Sequence, residues 1–291
     1  MPVTADSTFH DRQMKSPLRL EGGRRILKTP ASYEPGKPLI SVITVVYNAE
    51  STIENAIQSV LSQTYGNIEH IVIDGGSTDG TLDILNKFDG QISYWLSEKD
   101  AGIYDAMNKG MNLATGEIVG FLNADDYYFD DSVLEQVSRA LSDRQVQACY
   151  ADLEYVSQDN LRVIRYWQSR PFRKGLFASG WCPPHPTFYV RKSVIEKLGG
   201  FDLTFKLAAD AEFMIRYLER NEVSSRYVPR IWVRMRAGGQ TNKSWANIIR
   251  QNGEIIDGLR KNGINVSFLR FFSNKLFSRA GQFLRAGDKK Q

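Results

Sequence analysis

Residues Ile118-Val-Gly-Phe-Leu-Asn-Ala-Asp-Asp126 form an apolar run that leads straight into two adjacent carboxylates. A buried strand has no structural need to end this way. Neighbouring carboxylates repel each other, and desolvation adds to the cost of keeping both charged. A hard divalent cation at the strand tip relieves both penalties, and such a cation commonly bridges to nucleotide phosphates.

The flanking sequence repeats one theme. Leu39–Tyr47 is a β-branched apolar run, and Ile68–Ile73 and Ile92–Leu96 are further short buried strands. Between them, helical spacing covers Thr52–Leu61, Thr81–Phe88 (with Asp79 or Gly80 near its cap) and Ala106–Leu113. Asp130, Asp131 and Ser132 mark the start of a helix over Ser132–Leu141. Strands that are apolar on both faces and alternate with helices specify a Rossmann-like, mostly parallel α/β sheet with helices on both faces. Ligands of such sheets bind outside the carboxyl ends of the strands. Polar residues gather at those ends: Tyr47-Asn48, Asp74, Ser97–Asp100 and Asp125-Asp126. After Ala148 the pattern is mixed. Strands are expected at Val163–Trp167 and Thr187–Val190, and helices at Ser193–Leu198, Asp210–Arg220 and around Trp245–Leu259. This half is expected to complete the sheet and supply a lid.

The 291 residues are 42% apolar, enough for a sizeable core. No apolar run is long enough to predict a transmembrane helix. The first 30 residues lack the apolar core of a secretory leader, so a cytoplasmic location is expected. Cys149 and Cys182 have no metal-ligand spacing and suit a reducing compartment. The net charge is +4, but Leu259–Gln291 holds eight Lys/Arg against one acid and leaves residues 1–258 at −3. That balance argues against nucleic acid as the main partner of the body. On a helical wheel of the tail, Phe268, Leu269, Phe272, Leu276, Ala280, Phe283 and Leu284 share one side, with Arg270, Asn274, Ser278, Gln282 and Arg285 mainly opposite; Phe271 and Arg279 break the pattern. Two readings of residues 265–291 stay open: a peripheral helix on the anionic inner face of the plasma membrane, or a helix packed on the body or a partner subunit.

With these residues in view, the chain resembles the family 2 glycosyltransferases of the GT-A fold, and most of all the bacterial members that build exopolysaccharide, O-antigen and colanic-acid-type repeats. The matching stretches are Ile40–Asn48, Ser59–Tyr65, Ile73-Asp-Gly-Gly-Ser-Thr-Asp-Gly-Thr81, Ser97–Gly110, Ala114–Glu117 and Asn123-Ala-Asp-Asp126. Fainter matches follow at Pro184-His-Pro186, Gly199-Gly-Phe-Asp202, Asp210-Ala-Glu212 and Gly238-Gly239. The resemblance implies a GT-A domain over 38–240, with a nucleotide-sugar half (38–130) and an acceptor half (131–240). An irregular extension (1–37) precedes it, and a C-terminal helical extension with the basic tail (241–291) follows.

It also implies inverting transfer of a sugar from a nucleotide-diphosphate sugar, with Mg²⁺ or Mn²⁺, to a saccharide or polyprenyl-diphosphate-linked acceptor. Thr44, Tyr47 and Asp74 would line the nucleotide pocket with Asn48. Asp125 would face the ribose or sugar, Asp126 would hold the metal, and Asp210 matches the catalytic base. Other readings remain beside these. Asp210 could cap its helix, with Glu212 next in line as base. Asp100 and Lys109 bind donor or hold their loop. His185 is a metal ligand, an acceptor contact or a structural histidine, and Trp181 stacks on an acceptor sugar or packs the core. Many members carry Asp-Asp where this chain has Asp74-Gly75, and the second Asp can read the base, so the base stays open. The Gln-x-x-Arg-Trp motif of processive synthases is absent, which favours single addition. The alternatives are a sugar nucleotidyltransferase, disfavoured because Tyr47-Asn-Ala-Glu-Ser51 lacks Lys and Arg, and a non-catalytic sugar-nucleotide-binding subunit.

Overall fold

The computed structural model describes residues 19–29, 31–158, 161–238, 245–267 and 271–272. In chain order the elements are β1 (Leu20–Gly22), β2 (Ile40–Val46), α1 (Ile53–Leu61), β3 (Ile68–Asp74), α2 (Thr81–Lys87), β4 (Tyr94–Ser97), α3 (Ile103–Leu113), β5 (Ile118–Phe121) and β6 (Asp126–Tyr128). They continue with α4 (Val133–Ala140), β7 (Ala148–Val156), β8 (Val163–Trp167), β9 (Tyr189–Arg191), α5 (Lys192–Leu198), α6 (Ala209–Met214), β10 (Ser225–Arg236) and α7 (Trp245–Lys261). A wider π-type turn over Ile215–Arg220 extends α6.

One sheet runs in the order β1-β4-β3-β2-β5-β9-β7-β10-β6, with β8 beside β7. β4, β3, β2 and β5 are mutually parallel, as the alternation of strands and helices predicts. All seven residues of β2 are buried, because both faces are covered. Ile43, Val45, Ile71 and Ile73 pack towards Met107, Met111 and Phe213 on one face. Ile40 and Val42 meet Val60 and Val137 on the other, where Val46 and Val72 meet Ile53 and Leu85. α3 lies so close that a Cβ on Gly110 would sit 2.4 Å from Ile43.

The sheet cannot be flat. β6 follows β5 after four residues but lies four places away in the sheet order, about 19 Å at ordinary strand spacing. The Asp126 amide donates to the Asn123 carbonyl (3.0 Å), closing a turn. That connection spans at most about 14 Å. The far edge must therefore curl back, and the last strand delivers its end to the tip of β5: Asp126 pairs with Met235, next to Arg236.

Several sequence expectations need correction. The stretch 1–37 is not wholly irregular, since Leu20–Gly22 pairs antiparallel with Trp95–Ser97 on β4. β6, β7 and β10 were not foreseen as strands. β7 carries Asp152 and Glu154 in a fully buried run, and β10 is interrupted by Pro229 and alternates with arginines. The helix expected from Ala106 starts at Ile103. Of the tail, residues 268–270 and 273–291 lie outside the described residues; of the proposed apolar face, Phe272 is described and packs half-buried against the core. Among the described residues, no helix is long and apolar enough to cross a membrane.

At the amino end of the sheet, Glu69 is a buried hub. Its carboxylate accepts from Ser41 Oγ (2.6 Å) and the Thr115 amide (2.7 Å), and also from the Thr115 hydroxyl and Arg25. Burial alone would raise its pKa, but these donors together with the Arg25 charge outweigh it and hold the group below its ordinary 4.5. A depressed carboxylate stabilises the fold above its unfolded-state pKa and loses that contribution as pH falls through the folded value. Glu69→Gln is therefore expected to lower the unfolding free energy by about 1.5–3 kcal/mol at pH 7. In urea titrations the difference from wild type should shrink steadily below pH 4.5.

Candidate active site

The loop after β3 is built around one carboxylate. Asp74 Oδ2 accepts from the Gly76 amide (3.1 Å), the Ser77 amide (3.0 Å) and Ser97 Oγ (2.6 Å), and Oδ1 accepts from the Ser77 hydroxyl. Asn48 completes the scaffold from the end of β2. It adopts φ 48°, the left-handed region that asparagine tolerates. Its amide donates to Ser77 Oγ (2.8 Å), and its Oδ1 accepts from the Thr78 amide (2.8 Å). Beside this fixed loop Tyr47 stands 62% exposed, a free aromatic face at the strand end.

At the tip of β5 the electrostatics reverse. Asp126 is 1% exposed. Its Oδ2 accepts from Asn123 Nδ2 (3.1 Å), but Oδ1 is buried without a partner. Burial, and then the Asp125 charge, hold its pKa well above the ordinary carboxylate range, and Asn123 and Arg236 counter this only in part. Asp125 is half-buried, and burial raises its pKa against the pull of Arg236. The Arg236 guanidinium lies 5.5 Å from the Tyr127 ring centroid, and its Nε is buried and unpartnered. The strand tip thus joins two carboxylates, one cation and polar atoms left without partners. Oxygen donors of this kind suit a hard cation such as Mg²⁺ or Mn²⁺. Among the described residues no group of three or more His, Cys, Asp or Glu side chains could hold a metal without help from other ligands.

Asp210 sits in the first turn of α6, and Ala208, not Asp210, occupies the cap position. Tyr104 Oη donates to Asp210 Oδ1 (3.0 Å). Burial, and then the Asp210 charge, keep the Tyr104 phenol protonated and so available as a donor. Beneath them His185 stacks on Phe121 (5.3 Å between centroids) and meets Phe201 edge-on (5.6 Å). Burial lowers its pKa, Asp210 opposes the shift, and its Nε2 is buried and unpartnered. Phe121 ends β5, so this aromatic stack links the Asp210 region to the strand that leads into Asp125-Asp126. Two further grips fix the geometry. Asn108 exchanges two hydrogen bonds with the backbone of Phe201 (3.0 and 2.8 Å). Glu254 on α7 accepts from the amides of Lys206, Leu207 and Ala208 (2.9, 2.7 and 3.0 Å), just ahead of α6.

Other assigned residues lie elsewhere. Thr44 does not line a pocket, because it is fully buried and its Oγ1 pairs with His70 Nε2 (3.0 Å). The carboxylate of Asp74 is likewise spent on its own loop. Glu212 is not a spare base: it is buried, paired with Arg216 (3.1 Å) and held by Asn262 Nδ2 (3.1 Å). Lys109 is tied to Glu98 (2.9 Å) and the Lys99 carbonyl (3.2 Å), which makes it a brace for its loop. Trp181 packs with Tyr150, Phe172 and Phe177. Arg236, Asn123 and Tyr104 were missed. Arg236 depends on the curl of the sheet, which no local pattern reports, whereas Asn123 and Tyr104 stand inside the family-like stretches Asn123–Asp126 and Ser97–Gly110.

A doubly covered sheet with these groups at its carboxyl edge defines a GT-A-type glycosyltransferase. The chain belongs to glycosyl transferase family 2, whose model matches residues 41–199. It is 37% identical over 182 residues to an uncharacterized glycosyltransferase of Mycobacterium tuberculosis (H37Rv), covering 62% of this chain and 68% of the relative. It is 38% identical over 133 residues to the putative teichuronic acid biosynthesis glycosyltransferase TuaG of Bacillus subtilis, covering 45% of this chain and 52% of TuaG. The fold is similar to that of the mannosyltransferase PcManGT from Pyrobaculum calidifontis in complex with GDP-Man and Mn²⁺, with TM-score 0.58, 20% identity and coverage of 92% and 81%. It is also similar to S. aureus TarS 1–349 in complex with UDP, with TM-score 0.55, 18% identity and coverage of 87% and 72%.

An unpartnered buried carboxylate burdens the fold. Asp126→Asn is expected to raise the unfolding free energy in chelator-treated buffer by about 1–3 kcal/mol. Because the folded pKa is raised, the advantage should be small in acid and grow as pH rises above the ordinary value of 3.8. Denaturant midpoints at several pH values measure it.

Proposed function

We propose that the protein is an inverting, metal-dependent glycosyltransferase. It moves a sugar from a nucleotide-diphosphate donor to a saccharide or lipid-linked saccharide acceptor in surface-polysaccharide assembly. The observation that carries this reading is the buried, unpartnered Asp126 Oδ1 beside Asp125 at the carboxyl edge of the sheet. A relative named for teichuronic acid biosynthesis supports a role in glycan assembly.

Asp126 would hold the cation, with Asp125 beside it. When bound, Mg²⁺ or Mn²⁺ would offset the charge that gathers on the leaving diphosphate. Arg236 adds a fixed positive charge on the same side. Tyr47 offers its exposed ring to the nucleoside, and Asp125 faces the ribose or the transferred sugar. Asp210 accepts the proton of the attacking acceptor hydroxyl. Attack opposite the leaving group inverts the anomeric centre in one displacement. Tyr104 holds Oδ1 of Asp210 and leaves Oδ2 for the hydroxyl, so the base is oriented before the acceptor arrives. The aromatic wall of Phe121, His185 and Phe201 excludes water from that side.

Asp210→Asn should leave donor affinity unchanged and cut turnover by about 100- to 10,000-fold. Tyr104→Phe should lower turnover by roughly 5- to 10-fold, the worth of one hydrogen bond, without changing the donor KM. Product formation with wild type and both variants decides this. Near-normal turnover in Asp210→Asn would move the base elsewhere.

A further inference from the structure

The base of the nucleotide can be approached from the spacing of the strands. Resting on the donor reading above, the diphosphate lies at the tip of β5. The sheet order from there is β5-β2-β3-β4. Three strand spacings make about 14 Å. An extended nucleoside diphosphate of comparable length, laid along this edge, passes Tyr47 after β2 and brings its base to the ends of β3 and β4.

The chain has a notch there. Gly75 follows β3, and its amide donates to the Val46 carbonyl (2.9 Å), next to Tyr47. A Cβ on Gly75 would lie 2.5 Å from Asp100 Oδ2. The space that a side chain at 75 would need is already taken by a carboxylate that arrives from the β4–α3 loop. Gly75 does not have a left-handed φ, so packing against Asp100 rather than backbone strain accounts for the glycine. Asp100 is half-buried, and its Oδ1 accepts from the Gly102 amide (2.8 Å), which fixes the carboxylate and leaves Oδ2 towards Gly75.

We infer that Asp100 is the base-reading residue, and that it selects a uracil-type base through the imide N–H. A single directed carboxylate oxygen is matched by the single N–H of that imide. Guanine presents two N–H groups side by side and calls for both oxygens of a carboxylate. Cytosine and adenine place a ring nitrogen lone pair where the imide has its hydrogen, which a carboxylate repels. The residues at the notch divide the work. Tyr47 supplies a face for any base, Gly75 supplies room, and Asp100 supplies discrimination.

The test is calorimetric titration of the full chain with UDP, CDP and GDP in Mn²⁺. Wild type should prefer UDP over CDP by about 10- to 100-fold, the worth of a hydrogen bond to a charged acceptor. Asp100→Asn should bring that ratio near one, while retained CDP binding shows that the variant is folded and its sugar and diphosphate contacts intact. Gly75→Ala, which displaces the carboxylate, should move the ratio the same way. The double variant Gly75→Asp, Asp100→Gly, which returns a carboxylate to the same space from the neighbouring strand, should restore it. Equal binding of the three nucleotides by wild type, or a UDP preference unchanged in Asp100→Asn, overturns the assignment and leaves the donor reading standing. No binding of any of them by wild type overturns both.

Discussion

A buried carboxylate with one oxygen left unpartnered is the constraint around which this molecule is arranged. Asp126 lies at the one point where β5, the turn after it and the end of β10 converge. The turn is too short to allow a flat sheet, so the far edge must curl until Arg236 reaches the carboxylates. The side-chain amide of Asn123 and the charge of Arg236 offset the burial of Asp126 only in part. The doubly covered sheet, with its fully buried β2 strand, holds the pair together against their repulsion. Stability is thereby exchanged for a strand tip ready for positive charge.

Around that point the loops are stiffened by side chains that serve the backbone. Asp74 and Asn48 bind the turn after β3, Asn108 binds Phe201, and Glu254 binds the three amides before α6. Each gives a backbone group of the loop a side-chain partner in place of water. Much of the polar signature at the strand ends is therefore scaffolding for a few groups left free: Tyr47, Asp125, Asp126 and the open oxygen of Asp210.

This division explains what could be read from the chain. The alternation of apolar runs and helical spacing over 39–141 specified the parallel core because burial on both faces leaves an unbroken hydrophobic run. The carboxyl-edge position of Tyr47, Asp74, Asp100 and Asp125-Asp126 followed from that topology. The second half was harder, because its strands carry buried acids that find partners only after folding: Asp152 accepts from Tyr227 (2.8 Å) and the Ser169 amide (2.7 Å). Motif position also could not separate residues that face a ligand from residues that hold a loop. Thr44 and Glu212 look like site residues in the chain, yet both are sealed inside it. Arg236 lies 110 residues from Asp126 in the chain, and only the curled sheet makes them neighbours.

The grip of Glu254 lies wholly outside the stretch that the family match covers. The family match ends at Gly199, before Asp210 and well before α7. The groups proposed to meet the donor come mostly from the matched region, whereas the proposed base, Asp210, is steadied by a helix beyond it. A substitution on α7 would therefore reach the proposed base without touching any residue of the matched region.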